Sequence, residues 1–161
     1  MQLRVYVETS VISYLIARDS KNPVILVRQQ STREWWNTER NQYELFVSDL
    51  VHEEAGRGDE DNALARLKAI EDFAVLPVNV EAKNLAALLL KLNAVPMNAA
   101  EDAAHIAIAT VHSMRFLLTW NFRHINNVSK QRLIESVCYS EGFVCPVICS
   151  PNDLMEAGNE D

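Results

Sequence analysis

Short stretches rich in β-branched residues alternate with longer amphipathic stretches along the whole chain, and this alternation constrains the fold more than any other feature. Alternating or continuous apolar runs of this length predict buried strands, whereas apolar residues repeating every three or four positions predict helices. Strands that alternate with helices favour a parallel sheet covered by helices on both faces. We therefore predict a three-layer α/β/α fold around a central, mostly parallel sheet of four or five strands. The predicted strands are 3–7, 44–47, 73–78, 116–119 and 146–149.

Helix boundaries are predicted from capping residues. Thr9 and Ser10 are expected to cap a helix that runs to Ile16. Ser48 is expected to cap another helix, which Gly56 ends. The remaining predicted helices are 24–40, 61–72, 81–92, 98–114 and 129–139.

The length of 161 residues suits one domain, which we place at 1–156, followed by an acidic tail at 157–161. The first residues lack the charged and apolar regions of a signal peptide, and no apolar run is long enough to span a membrane. The three cysteines are an odd number without a zinc-type spacing, so reduced thiols are expected. These features predict a cytoplasmic protein that does not enter the membrane.

The net charge of −7 is unlike that of a general nucleic-acid-binding domain, which usually carries a basic excess. It is compatible with a nuclease, because metal-binding carboxylates add negative charge while a local basic rim can still hold phosphates. Three cations beside the segments discussed next are candidates for such contacts, with ordinary surface charge as the alternative. They are Arg57, Arg123 and Lys130.

Polar residues follow the predicted strands or begin the predicted helices, where ligands bind in open parallel sheets. Glu8 and Asn121 each come directly after a strand segment, and Asp102 lies in the first turn of an Ala-rich helix. Glu54 lies six residues beyond the capping Ser48. Carboxylates gathered at one place repel each other and need a cation among them. Mg²⁺ or Mn²⁺ suits oxygen ligands of this kind.

Four segments follow one another along the chain: VYVETSVISYL, VSDLVHEEAGRGD, AEDAAHIAIAT and FLLTWNFRHI. In this order and spacing they resemble the signature regions of PIN domains, most closely those of the VapC-like toxins of toxin–antitoxin pairs. The resemblance covers about residues 3–150. It implies a PIN-like fold, RNA cleavage that depends on Mg²⁺ or Mn²⁺, frequent formation of homodimers, and inhibition by a small antitoxin protein.

The resemblance also implies roles for individual residues. It makes Glu8, Glu54 and Asp102 metal ligands, with Asn121 at the fourth catalytic position. Thr9, Ser10 and Thr119 would support them near the strand ends. Glu8 stands where the family usually has the shorter aspartate, and Asn121 stands where it often has an acid. An alternative function is therefore an RNA- or protein-binding module of the same fold with weak or lost nuclease activity.

Each of these residues also has a purely structural interpretation. Glu8 suits the start of the following helix, as an acid favoured by the helix dipole, and Glu54 suits a solvated helix face. Asn121 suits a turn. His105 and His124 fit structural roles better than ligand roles. The tryptophans at 35, 36 and 120 fit packing better than stacking on nucleic-acid bases.

Overall fold

The five predicted strands form one sheet in the computed structural model, which describes residues 1–158. Neighbouring strands are parallel throughout, in the order β3-β2-β1-β4-β5. The predicted α/β fold with a parallel sheet of four or five strands is therefore confirmed. The strands are β1 Leu3–Val7, β2 Tyr43–Ser48, β3 Ala74–Leu76, β4 Phe116–Leu118 and β5 Val147–Cys149.

The helices form two groups, and the helices of each group pack against one another. The two groups are the outer layers of the three-layer fold. One group contains the helices α1, α2, α3, α4 and α8, and the other contains α5, α6 and α7. Their bounds are α1 Thr9–Ile16, α2 Pro23–Thr38, α3 Asp49–Ala55, α4 Glu60–Ala69, α5 Val80–Lys91, α6 Ala100–Val111, α7 Gln131–Ser140 and α8 Pro151–Gly158.

The predicted boundary between domain and tail falls within α8, and residues 159–161 of the predicted acidic tail lie outside the described residues. Within the described part of the chain, no helix combines the length and apolar character needed to cross a bilayer.

The start of α1 differs from the sequence-based prediction. The helix begins at Thr9, and its N-cap is Glu8, whose Oε2 accepts a hydrogen bond from the backbone N–H of Ser10. The prediction that Thr9 and Ser10 cap this helix is therefore wrong. The physical reason is that the Glu8 carboxylate reaches the free N–H groups of the first turn, a task that shorter side chains more often perform.

The chain order places a switch point beside β1. From β1 the sheet grows through β2 to β3 on one side, whereas β4 and β5 lie on the other. Val7 at the end of β1 pairs with Leu118 at the end of β4, and the backbone N–H of Glu8 donates to the Leu118 carbonyl over 3.0 Å. The residues after β1 and β4 therefore meet at one edge of the sheet, where open α/β sheets bind ligands.

Helix α6 is buried on nearly all sides. Its residues 105–109 are His105, Ile106, Ala107, Ile108 and Ala109, and each is fully buried. Alanine allows the backbone of a helix to approach its neighbours closely, so the Ala-rich sequence fits a position between α5 and the sheet. The helix is thereby a rigid support for the polar residues that it carries at its first turns.

Replacing Ile106 with alanine is expected to lower the free energy of unfolding by about 2–5 kcal/mol, because it leaves a cavity beneath the sheet. Urea denaturation followed by circular dichroism measures the change. Val128, which is 83% exposed, provides the control, and Val128→Ala should stay within about 0.5 kcal/mol of the wild type. Equal effects of the two substitutions would contradict this account of the core.

Candidate metal centre

Glu8 lies at the end of β1 and is almost completely buried, with 5% of its surface exposed. Three donors converge on its Oε2: the backbone N–H of Ser10, the Ser10 hydroxyl over 2.5 Å and the Thr119 hydroxyl over 2.7 Å. Its other oxygen, Oε1, accepts no hydrogen bond from the residues that the structure describes. A buried carboxylate with one fixed and one free oxygen is suited to hold a cation.

Glu54 approaches Glu8 from α3, the helix that Ser48 caps as predicted. Its Oε1 accepts a hydrogen bond from the Thr9 hydroxyl over 2.6 Å and lies 2.5 Å from Nε2 of His105. Thr9 belongs to the first turn of α1, so this contact joins the residues after β1 to those after β2. The two glutamates therefore share one edge of the sheet.

His105 connects Glu54 to the interior of the protein. Its Nδ1 lies 2.7 Å from the Tyr6 hydroxyl, which lies 2.8 Å from the Ser48 hydroxyl. Burial raises the pKa of Tyr6 well above its usual value, so the hydroxyl keeps its proton. When His105 is protonated, both of its ring nitrogens donate hydrogen bonds, and the Tyr6 hydroxyl then donates its own hydrogen bond to the Ser48 hydroxyl. When His105 is neutral with its proton on Nε2, Tyr6 can donate to Nδ1 instead.

Glu54 and His105 hold opposite charges. Burial raises the pKa of Glu54, but hydrogen bonding and charge from His105, with the Thr9 hydrogen bond, outweigh this effect and hold the pKa at about 2. Burial lowers the pKa of His105, but the hydrogen bond to Glu54 and the charges of Glu8 and Asp102 reverse this and raise it above 6.5. At pH values below this raised pKa, His105 is a cation among the carboxylates.

One ligand atom from each of Glu8, Glu54 and His105 lies within 4.8 Å of the other two. Three such atoms from separate elements can surround a single ion. Carboxylate oxygens suit Mg²⁺ and Mn²⁺, whereas the His105 nitrogen becomes a ligand only when the ring is neutral and gives up its hydrogen bond to Glu54. The grouping differs from the predicted ligand set in one member, because it contains His105 where we expected Asp102.

Asp102 lies in the first turn of α6, one turn before His105, and is held by a different histidine. Its Oδ2 lies 2.9 Å from Nδ1 of His124, and both side chains are partly buried. The backbone N–H of His124 donates to Oδ1 of Asn121 over 2.9 Å, so Asn121 forms a turn that positions His124. Asp102 remains close enough for its charge to act on His105.

The supporting residues hold the carboxylates in place. Thr9 binds Glu54, while Ser10 and Thr119 bind Glu8. The Thr119 hydroxyl also accepts a hydrogen bond from the backbone N–H of Asn121 over 3.0 Å. Through Thr119, the loop after β4 is therefore connected to Oε2 of Glu8.

The predicted phosphate-binding residues differ in their surroundings. The Arg57 guanidinium forms exposed ion pairs with Glu101 over 2.9 Å and Glu53 over 3.3 Å. Nζ of Lys130 donates to the Asn93 carbonyl. Arg123 is exposed in the loop that follows β4. Their role in binding a substrate stays a prediction.

Two histidines matter more here than the sequence suggested. The interpretation of His105 as a core residue fits its complete burial and its hydrogen bond with Tyr6, but its other ring nitrogen contacts Glu54 in the candidate site. The signal in the sequence was its position one helical turn after Asp102, on the same face of α6. His124 was less visible, because its contact with Asp102 joins residues 22 positions apart.

A comparison with descriptions of protein families matches residues 5–130 to the PIN domain. The chain belongs to the PIN-domain family. This assignment confirms the resemblance based on the four sequence segments. No curated protein matches the sequence.

Two solved structures resemble this PIN domain in fold. VapC20 of Mycobacterium tuberculosis, a toxin that cleaves the sarcin–ricin loop, has a TM-score of 0.55 and 15% identity, covering 87% of this chain and 96% of its own. VapBC2 from Rickettsia felis, bound to a DNA fragment from its promoter, has a TM-score of 0.59 and 11% identity, covering 92% and 98%. At these identities the likeness concerns the fold.

The pairing of Glu54 with His105 predicts a particular dependence of stability on pH, measured in EDTA. The pKa of Glu54 is lowered from 4.5 to about 2, so its contribution is present above pH 4.5 and is lost as the pH falls towards 2. The pKa of His105 is raised above 6.5, so its contribution is present below pH 6.5 and is lost as the pH rises through the raised value.

The extra stability of the wild type over Glu54→Gln should therefore be largest between about pH 4.5 and 6.5, where we expect about 2 kcal/mol. Urea denaturation across the pH range measures it. Glu53→Gln, at an exposed neighbouring position, is the matched control and should change stability little. A difference that stays constant with pH would argue against the ion pair.

Proposed function

We propose that this PIN domain is a metal-dependent endoribonuclease and the toxin half of a toxin–antitoxin pair. The observation that carries the proposal is the cluster of Glu8, Glu54 and His105, whose ligand atoms lie within 4.8 Å of one another at the carboxyl edge of the sheet. Its members come from the segments that carried the resemblance to VapC-like toxins. The fold likeness to VapC20, a toxin that cleaves RNA in the sarcin–ricin loop, supports the same class of substrate.

The donor set fits Mg²⁺ or Mn²⁺. Glu8 and Glu54 would hold the ion, and Asp102 would join them from the first turn of α6, with Asn121 assisting. Such an ion would lower the pKa of a bound water and neutralise charge on the phosphate. The three hydrogen bonds to Oε2 of Glu8 fix the orientation of this carboxylate. His124 fixes Asp102 in the same way.

The chain's own residues also prepare the site for a polyanion. His105 places a positive charge beside Glu54, which reduces the repulsion between the carboxylates. Arg123 and Lys130, in and just beyond the loop after β4, are proposed to contact phosphates, with Arg57 at the start of the segment after α3. We further propose a cytoplasmic homodimer that a small antitoxin protein inhibits. The likeness in fold to VapBC2 supports the antitoxin partner in this proposal.

A second candidate function is an RNA- or protein-binding module that has weak or lost nuclease activity. The observation in its favour is that two of the three carboxylates already have a histidine as an internal partner. Glu54 is paired with His105, and Asp102 with His124. A site that carries its own cation has less need of a metal, and binding one would disturb these contacts.

Asp102→Asn is expected to lower Mn²⁺-dependent cleavage of RNA by at least about 100-fold. Loss of a residue that orients a metal ligand already lowers activity by up to about 100-fold, and loss of the ligand itself should lower it at least as much. The asparagine oxygen can still accept from His124, so the fold should be kept. Cleavage of labelled RNA on denaturing gels measures the effect. Asp61→Asn, in the first turn of α4, is the matched control. Undiminished cleavage by the Asp102 variant would show that this site is not responsible.

Metal binding separates the two candidate functions. Calorimetric titration with Mn²⁺ should show one site in the wild type, and Glu8→Gln should weaken it by at least about 10-fold, since it removes a charge but retains size. Glu141→Gln, exposed after the end of α7, serves as the control and should bind normally. Binding of RNA without measurable binding of Mn²⁺ would favour the second candidate.

A further inference from the structure

A groove of about 400 Å³ lies beside the candidate metal centre, at the carboxyl ends of β4 and β5. Helix α2 forms one wall, with Val24, Val27 and Arg28, and the loop after β4 forms another, with Trp120 and Phe122. We infer that this groove binds one unpaired nucleobase of an RNA strand, next to the phosphate at the carboxylates. The inference rests on the proposed ribonuclease function and extends it to the recognition of the substrate.

Phe122 is the exposed platform of the groove. Its ring is 40% exposed, and the guanidinium carbon of Arg28 lies 5.0 Å from the ring centre. An exposed aromatic ring beside an arginine matches the flat face and the flanking phosphate of a nucleotide. Single-stranded RNA is commonly bound through such stacking.

Trp120 fixes the platform and connects it to the metal centre. Its indole N–H donates to the buried Thr32 hydroxyl over 2.7 Å, and its ring meets that of Phe122 edge-on, with 6.0 Å between the centres. Its backbone N–H donates to the Ser10 hydroxyl, which in turn donates to Glu8. Trp120 therefore contacts both the ring of Phe122 and the Ser10 side chain that holds the Glu8 carboxylate.

The chemistry of the groove favours a base over a protein segment. Its exposed large apolar side chains are Val24, Val27 and Phe122, which is a small area compared with the roughly 800 Å² that each partner buries in a stable interface. The acidic residue in the groove, Asp153, accepts a hydrogen bond from the Ser150 backbone N–H at the start of α8. The Arg28 guanidinium lies 5.7 Å from the centre of the Trp120 ring and 5.0 Å from that of Phe122, so it is the cation that faces the aromatic pair.

The test is the affinity for a short, unstructured, fluorescein-labelled RNA, measured by fluorescence anisotropy in Ca²⁺ and again in EDTA. Phe122→Ala should weaken binding by about 5- to 150-fold, as expected for the loss of one stacked base. Phe122→Tyr keeps the ring and should bind like the wild type. Tyr139→Ala removes an 81% exposed ring on α7 and is the control that should have no effect.

Two further measurements identify the groups involved. Arg28→Gln should lower the slope of log affinity against log salt concentration by about 0.7, whereas Phe122→Ala should leave this slope unchanged. With an abasic strand of the same length, the wild type and Phe122→Ala should bind equally. An equal penalty on the abasic strand would overturn the inference, because Phe122 would then act on something other than a base.

Other outcomes also overturn it. They are a wild type that binds no RNA in either buffer, an unchanged affinity of Phe122→Ala, and a wild-type dimer that Phe122→Ala converts to monomer in analytical ultracentrifugation. The last result would assign the groove to a second copy of the chain. If the wild type cleaves RNA and Phe122→Ala binds normally, only this inference fails. If stacking is found without Mn²⁺-dependent cleavage, only the proposed catalytic function fails.

Discussion

The compensation of negative charge at one edge of the sheet is the constraint on which the site depends. Two glutamates from different elements converge there, and their like charges repel each other unless a cation lies beside them. Protonated His105 supplies that cation from the buried part of α6. Its position is fixed on the other side by Tyr6 in the central strand. The charge balance of the candidate site therefore depends on a contact in the core, the hydrogen bond between Tyr6 and His105.

This dependence explains why strand order matters so much. The switch point beside β1 brings the residues after β1 and β4 together, and α6 reaches the same edge with Asp102 and His105. Glu8 contributes both to folding and to the site, because its Oε2, which caps α1, also accepts a hydrogen bond from the Thr119 hydroxyl. A change at this position affects local structure and charge at the same time.

The sequence predicted the parallel sheet and the helix that Ser48 caps, because periodicity and capping act over short distances. It did not predict which atoms would meet at the carboxyl edge of the sheet. The contact of Asp102 with His124 and that of Glu54 with His105 depend on distances between helices, which no local pattern contains. The predicted cap of α1 was wrong because a glutamate side chain can reach the first-turn N–H groups from the N-cap position, which shorter residues usually occupy.

The hydrogen bond from His124 to the side chain of Asn121 has a consequence for what this position can recognise. It occupies one of the two lone pairs of the amide oxygen and leaves the amide nitrogen as a donor. That nitrogen complements an anion such as a phosphoryl oxygen, while the second lone pair of the oxygen can still face a cation or a metal-bound water. An aspartate here would be isosteric and could form the same turn, but would offer only acceptors. A one-atom difference thus gives the fourth corner of the site a donor for the nucleic-acid backbone beside its acceptor.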